Sequence, residues 1–334
     1  MIGDARTANE TDRRPAGESG DIVPSPEEFA GWPRLGVLSE DLSIGPVSVH
    51  VARVDAEVRD SFLRWAGTPG HPGLLAAPGW KELSIDLEFL RSEREGYLAL
   101  VPGGPARLMT WSEGSGLVMA THGAALLMDA EARKGIVVVA RLLAPDLDLA
   151  LQNVLRVAVA WRLARSGRGM LLHCAAVEHG DGCVLFLGPS GAGKTTAIGM
   201  SWPRPAIADD VVVLTAPGLE GGAWLAHPTP LWADPSFEAR TMRTSPVPVL
   251  AGFRLQQGPS AILRLQRAAA AASIMAHAPF LGAMGSSGSA PLAERLAGGV
   301  PFGILRFALD DDFWPVIESW ADSGAPGSPE EIRT

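Results

Sequence analysis

A glycine-rich segment is the first part of the sequence whose residue types and spacing could do chemistry. It reads GPSGAGKTT and matches the pattern G-x-x-x-x-G-K-[ST] in full. Glycines let the backbone form a loop whose N–H groups point at phosphate oxygens, while the lysine neutralises the β and γ phosphates and the threonine hydroxyl binds Mg²⁺. The segment predicts a nucleotide site formed by Gly188, Pro189, Ser190, Gly191, Ala192, Gly193, Lys194, Thr195 and Thr196.

The residues around this loop favour the same interpretation. The apolar run Cys183–Leu187 enters the loop as a strand, and a short helical stretch leaves it, which adds a positive helix terminus to the phosphate site. A chance glycine-rich turn would not bring strand, lysine, threonine and helix together in this order. A loop of this kind does not separate kinases from other nucleotide-binding proteins, but the ABC-type signature LSGGQ and the GTPase motif NKxD do not occur in the sequence.

Two adjacent carboxylates, Asp209 and Asp210, follow Lys194 by fifteen and sixteen residues. They lie in the apolar run 206–215, which predicts one extended strand whose neighbouring side chains point to opposite faces. One carboxylate could then meet Mg²⁺ and the other the attacking hydroxyl, or one could cap a turn and leave a single chemical group. Carboxylates in an apolar strand are costly without a metal or a hydrogen-bond donor, so at least one is expected to be functional.

A histidine, His173, precedes the loop by fifteen residues in the apolar run Met170–Val177. The tetrapeptide HGDG at 179–182 predicts a hairpin turn between this run and the strand that enters the loop. The hairpin would bring His173 towards the phosphate end, where it could pair with an aspartate that tunes its basicity. The alternative is a hydrogen-bonded histidine of the core.

Two other groups of residues give weaker signals. The segment from His227 to Trp232, HPTPLW, could be a substrate loop or simple packing. Arg240 and Arg243 could clamp a phosphate, although a solvated surface position is the more common use of such residues.

Composition and charge exclude several functional classes. The 334 residues are 47% hydrophobic and predict about two domains with large cores. The formal net charge of −9 argues against general binding to nucleic acid or an anionic membrane. No apolar stretch is long enough to span a membrane and no signal-like segment is visible at the start, so a cytoplasmic location is expected. Two cysteines are too few for a disulfide framework or a zinc site.

The pattern along the chain predicts an α/β (α+β) protein with four regions. Residues 1–30 are polar and aperiodic, as in a flexible tail. Residues 31–145 contain short apolar runs, such as 47–51, 96–101 and 135–140, and predict a β-rich N-terminal domain. Residues 146–320, which open with helical spacing from Asp146 to a stop at Gly167, predict the domain that carries the loop, and residues 321–334 predict a loose C-terminus.

The stretch 171–196, with its histidine, hairpin and GPSGAGKTT, and the following IADDV at 207–211 resemble a known family. They are similar to the catalytic domain of HPr kinase/phosphorylase, whose nucleotide-binding core resembles phosphoenolpyruvate carboxykinase. The resemblance is close over 171–215 and looser over 146–320. It implies a P-loop core of that type, ATP and Mg²⁺, and transfer of phosphate to a protein serine.

Carried over by motif, the resemblance also implies roles for individual residues. His173 and Asp209 would form the acid–base pair, and Asp210 would lie beside the metal with Thr195 as its hydroxyl ligand. The signature Glu-[Ile/Val]-Arg-Gly-x-Gly-Ile of the bifunctional enzymes does not follow the Asp pair. The chain therefore looks more like divergent HPr-kinase-like proteins, some of which modify a serine of a natural-product precursor peptide.

These observations lead to two hypotheses about function. The first is an ATP- and Mg²⁺-dependent kinase that phosphorylates a serine or other hydroxyl of a protein or peptide, with no nucleic-acid or membrane partner and with its oligomeric state open. The second is a non-catalytic ATP-binding accessory protein that switches conformation or presents a peptide. His173 and the Asp pair favour the kinase, whereas the missing signature favours the accessory protein.

Overall fold

Short apolar runs separated by turn residues form a first β-sheet. The structure, a computed structural model, describes residues 34, 36–66, 83–91, 107–110, 116–121, 123–140, 144–218, 222–229, 231, 245–278, 286–309, 312–322 and 331–333. The strands described in this sheet are β1 Leu38–Ile44, β2 Val47–Val54, β3 Ile85–Arg91, β4 Arg107–Thr110, β5 Gly116–Thr121, β6 Ala124–Asp129 and β7 Lys134–Val139. Their order is β1-β2-β3-β7-β6-β5-β4. The strands predicted at 47–51 and 135–140 are confirmed, and the one predicted at 96–101 lies outside the described residues.

The same region also contains a helix, which the β-rich prediction omits. Helix α1, Ala56–Ala66, follows Asp55, whose Oδ1 accepts a hydrogen bond from the backbone N–H of Val58 at 2.9 Å. Val58, Ser61 and Phe62 are its buried side chains among those described. In the sequence the apolar residues Val58, Phe62, Leu63 and Trp65 follow helical spacing, so the prediction of a β-rich region without helices is incomplete here.

Helix α2, Ala144–Ser166, confirms the helix predicted from Asp146 onwards. It ends at Gly167, whose φ of 64° lies in the left-handed region that glycine adopts without strain. The buried residues of α2 share one hydrophobic core with the first sheet and also with Leu171 and Val213 of a second sheet. This helix therefore packs against both sheets.

The second sheet carries the glycine-rich loop. Its described strands are β8 Gly169–His179, β9 Gly182–Leu187, β10 Ala206–Ala208, β11 Val211–Thr215, β12 Leu225–His227, β13 Val247–Gln257, β14 Ala261–Arg264, β15 Phe302–Phe307 and β16 Glu331–Arg333. Strand β9, which enters the loop, pairs antiparallel with β8 and parallel with β13. This strand therefore lies in the interior of the sheet, with a neighbouring strand on each side. On its other edge β8 pairs with β10 and β11.

Side chains of β8 alternate between the two faces of this sheet. One face packs on α4, Arg267–Ala276, and α5, Ser286–Gly299. The other face packs on α2 near Leu171 and, near Ala175 and Val177, on α3, Lys194–Met200, and α6, Trp314–Asp322. His173 lies on this second face, at the boundary between the α2 core and the α3 core.

The remaining elements agree closely with the sequence pattern. The sequence pattern also predicts helices at 266–278, 290–297 and 313–320 and a strand at 302–307. These correspond to α4, α5, α6 and β15. Residues 331–333, where loose structure was expected, form β16 and pair with β14. The expected tail, residues 1–30, lies outside the described residues. Residues Trp32–Thr334 form one compact α+β unit. Within its described part no helix is both long and apolar enough to cross a membrane.

Candidate active site

The β8–β9 hairpin brings His173 next to the glycine-rich loop. Its turn lies at Gly180 and Asp181, where a turn was predicted, and His179 pairs with Gly182. The register continues to Cys174 opposite Leu187, so the next residue on each strand is His173 and Gly188. The histidine therefore stands at the end of the strand that enters the loop, as predicted.

The loop itself follows β9 and turns directly into α3. Gly191 and Gly193 have φ values of 81° and 101°, which side chains rarely tolerate, and a Cβ at Gly193 would lie 2.8 Å from the ring of Phe307. Lys194 is buried, and its Nζ donates hydrogen bonds to the carbonyls of Gly188 at 2.8 Å and Pro189 at 3.3 Å. The lysine thus lies inside the curve of the loop.

Asp210 meets His173 from the opposite edge of β8. Its Oδ1 lies 3.3 Å from Nδ1 of His173, and its Oδ2 lies 2.8 Å from a guanidinium nitrogen of Arg156 on α2. The register explains this contact, because Val211 pairs with His173 and Asp210 is the residue before it. Arg156, His173 and Asp210 therefore form one charged cluster beside the loop.

The position of the two aspartates corrects two predictions. The run 206–215 is not one strand: it splits into β10 and β11, and the Asp pair forms the bend between them. The partner of His173 is Asp210 rather than Asp209, which is only 4% exposed. Both faces of this sheet are apolar, so a carboxylate inside a strand would lack hydrogen-bond donors. In the bend between two strands a carboxylate can reach polar neighbours.

Burial and neighbouring charges set the protonation of the cluster. Burial lowers the pKa of His173, Asp210 opposes this by raising it, and Lys194 and Arg156 add to the lowering. His173 is therefore neutral at pH 7 and able to accept a proton. Burial also lowers the pKa of Lys194. His277 is a further neighbour, since its carbonyl accepts a hydrogen bond from the backbone N–H of His173 at 2.7 Å.

The described residues contain no cluster of three or more His, Cys, Asp or Glu side chains that could hold a metal ion. Mg²⁺ is usually held by one or two protein oxygens together with phosphates of the substrate, so this chemistry needs few ligands. The exposed side chain of Thr195, which follows Lys194 on α3, is suitably placed beside the loop. The loop is thus compatible with Mg²⁺ bound together with a nucleotide.

His227 has a structural position rather than one in the cluster. It is buried on β12, and its Nε2 shares a hydrogen bond of 2.9 Å with Oγ1 of Thr215 on β11. Burial lowers its pKa to about 4. The other candidates from the sequence, Trp232, Arg240 and Arg243, lie outside the described residues.

The buried His227 predicts a loss of stability in acid. The folded protein holds it neutral down to about pH 4, whereas the unfolded chain protonates it near pH 6.5. Its contribution is complete above pH 6.5 and is lost as the pH falls towards 4, by about 3 kcal/mol in total. Urea midpoints at pH 7.5 and 5 measure this loss. His227→Gln should lose less stability than wild type between the two values, and an equal loss would contradict the assignment.

A comparison with protein families matches residues 145–321, which is more than half of the chain and begins and ends one residue outside the predicted C-terminal domain. The matching family is described as SynChlorMet cassette protein ScmC. The chain belongs to the ScmC family. A search of curated proteins found no match. The part shared with the ScmC family runs from α2 into α6, so it contains Arg156, His173, the loop and both aspartates.

Arg156 is the residue of this cluster that sequence reasoning does not find. It is one of three arginines in a long helix of the ScmC-matching region, and arginines in such a helix are typical of its solvated face. More than fifty residues separate Arg156 from Asp210 along the chain, and no sequence motif links the two positions. Only the packing of α2 on β8 brings the two residues together.

Proposed function

We propose that the chain is an ATP- and Mg²⁺-dependent kinase of the HPr-kinase-like type, which phosphorylates a serine or other hydroxyl of a protein or peptide. The observation that carries the proposal is the 3.3 Å contact between His173 and Asp210 beside the loop that holds Lys194. A nucleotide-binding loop alone serves many functions. A neutral histidine with a carboxylate partner at the phosphate end supplies the acid–base group that phosphate transfer to a hydroxyl needs.

The loop residues would bind the phosphates of the nucleotide. Backbone N–H groups of Ser190, Gly191 and Gly193 and the ammonium of Lys194 offer donors and positive charge, and the Thr195 hydroxyl is available to Mg²⁺. Lys194 already lies within hydrogen-bond distance of two loop carbonyls, so a short movement of its side chain brings it to a phosphate oxygen. Asp210 is engaged by Arg156 and His173, which favours a role as partner of the histidine over the metal-side role inferred from sequence.

His173 is the proposed base. Its side chain is 34% exposed, whereas Asp209 is only 4% exposed, so a substrate hydroxyl reaches the imidazole more readily. With Asp210 facing Nδ1, the atom left to face the substrate is Nε2. The hydroxyl oxygen forms a bond to the γ phosphorus, the bond between that phosphorus and the β–γ bridging oxygen breaks, and the hydroxyl proton passes to Nε2. The products are the phosphoester and ADP.

The substrate proposed is a serine-containing protein or peptide. This substrate class follows from the resemblance of 171–215 to HPr-kinase-like proteins, which phosphorylate a serine of a protein. The family name places ScmC in a cassette, which is in keeping with a partner protein or peptide as its substrate. The second candidate, an ATP-binding accessory protein, rests on the absent sequence signature after Asp210.

Two measurements on the purified chain test the proposal. Calorimetry should show binding of Mg·ATP, and incubation with γ-labelled ATP and an array of serine-containing peptides should transfer label to some of them. Matched peptides with serine replaced by alanine are the control. Binding without transfer to any protein or peptide would favour the accessory protein, and no binding at millimolar Mg·ATP would contradict the nucleotide site itself.

A further inference from the structure

An arginine outside the loop and outside the strands holds the carboxylate partner of the histidine. A terminal guanidinium nitrogen of Arg156 lies 2.8 Å from Oδ2 of Asp210, and both side chains are less than one-fifth exposed. Ion pairs this far from solvent are weakly screened and fix geometry more firmly than surface pairs. Each carboxylate oxygen of Asp210 therefore has its own neighbour: Oδ2 faces Arg156 and Oδ1 faces His173.

Helix α2 presents this arginine from a firmly held position. At its C-terminal end three side chains donate hydrogen bonds to consecutive carbonyls of the β6–β7 turn: Trp161 to Asp129, Arg165 to Ala130 and Arg162 to Glu131. At its other end Asp148 accepts hydrogen bonds from Ser61 and Arg64 of α1. Groups held on such a scaffold keep the narrow geometry that catalysis requires.

We propose that Arg156 is a positioning residue: it fixes the carboxylate of Asp210 so that Oδ1 keeps the proton of His173 on Nδ1 and leaves Nε2 as the acceptor. The role in transfer rests on the proposed kinase function, but the effect on the imidazole does not. The charged groups that face His173 are Asp210 at the β10–β11 bend, Arg156 on α2, Lys194 on α3 and His277 after α4. Among these, Asp210 is the group whose carboxylate oxygen lies 3.3 Å from Nδ1, so its orientation favours the tautomer that carries the proton on this nitrogen.

A kinetic test separates positioning from packing. Arg156→Met keeps the length of the side chain and removes the cation, and we expect kcat for peptide phosphorylation to fall about 10–100-fold with KM for Mg·ATP within about twofold of wild type. Arg156→Lys restores a cation and should recover part of this loss, because a lysine ammonium can still pair with Asp210. Arg59→Met, which removes an exposed arginine of α1 that pairs with Glu40, is the matched control and should keep wild-type kcat. A wild-type kcat in Arg156→Met would overturn the proposal.

A spectroscopic test decides the same point without catalysis. Nitrogen-15 NMR of the imidazoles at pH 8 distinguishes protonation at Nδ1 from protonation at Nε2, and the His173→Gln variant identifies the signal. Wild type and Arg156→Lys should carry the proton on Nδ1, whereas Arg156→Met should shift towards the Nε2 form. If Arg156→Met does not fold, the wild type and Arg156→Lys still decide, because an Nε2 tautomer in the wild type overturns the proposal. If the wild type shows the expected tautomer but transfers no phosphate, the kinase proposal is contradicted, while the role of Arg156 in positioning Asp210 still holds.

Discussion

Phosphate transfer by the His173→Gln variant is expected to be about 10²–10⁴-fold slower than by the wild type, which is the usual contribution of a general base. Glutamine keeps the size and polarity of the side chain but cannot take the hydroxyl proton. Binding of Mg·ATP should stay within a few-fold of wild type, because His173 lies beside the loop and donates nothing to it among the described contacts. Steady-state kinetics for kcat and calorimetry for affinity measure the two effects separately.

The pH dependence of kcat/KM in the wild type is an independent test of His173 as the base. Burial lowers the pKa of His173 below its ordinary value of 6.5, so more than half of the imidazole is neutral at pH 6.5. The acid limb of kcat/KM should therefore lie below that pH, with activity falling tenfold for each unit beneath the lowered pKa. In the His173→Gln variant this limb should disappear from the residual rate.

Asp209→Asn is the informative comparison, since the resemblance assigns the base to this residue. With Asp209 only 4% exposed and Asp210 at the histidine, we expect Asp209→Asn to reduce transfer less than His173→Gln does. The opposite ranking, with full activity in His173→Gln, would move the base to Asp209 and refute the assignment made here.

The convergence of the site follows largely from local sequence signals. A hairpin turn centred on Gly180 and Asp181 fixes an antiparallel register, and counting outwards from it brings His173 to the level of Gly188. Each step depends on residues near one another along the chain, namely turn glycines, alternating apolar positions and the loop pattern. Interactions between residues close together along the chain can be predicted from a single sequence.

The parts that the sequence does not reveal depend on contacts between distant elements. Whether Asp209 or Asp210 faces the histidine is decided by the break between β10 and β11, and an apolar run on both sides hides that break. Likewise Arg156 reaches Asp210 only because α2 packs on β8. Non-local packing sets both results, and helix or strand propensity carries no information about them.

The second large effect is expected at Lys194, one of three lysines in the chain. Lys194→Met keeps most of the apolar stem but removes the ammonium that lies inside the loop, so the phosphates lose a charge-assisted hydrogen bond worth about 1.5–3 kcal/mol. Affinity for Mg·ATP should fall roughly 10–100-fold by calorimetry, and transfer should fall further because the same charge stabilises the transition state.

Lys134→Met is the matched control for this prediction. Lys134 is exposed at the start of β7 in the first sheet, so its replacement removes the same charge from the protein without touching the loop. Its affinity for Mg·ATP should equal that of the wild type, while both variants should keep cooperative thermal unfolding. In Lys194→Met the carbonyl of Gly188 loses the lysine donor, while that of Pro189 keeps the backbone N–H of Ala192, so the thermal midpoint falls only slightly. Unchanged nucleotide affinity in a folded Lys194→Met protein would show that the lysine does not bind the phosphates. That result would contradict the electrostatic basis of the kinase proposal.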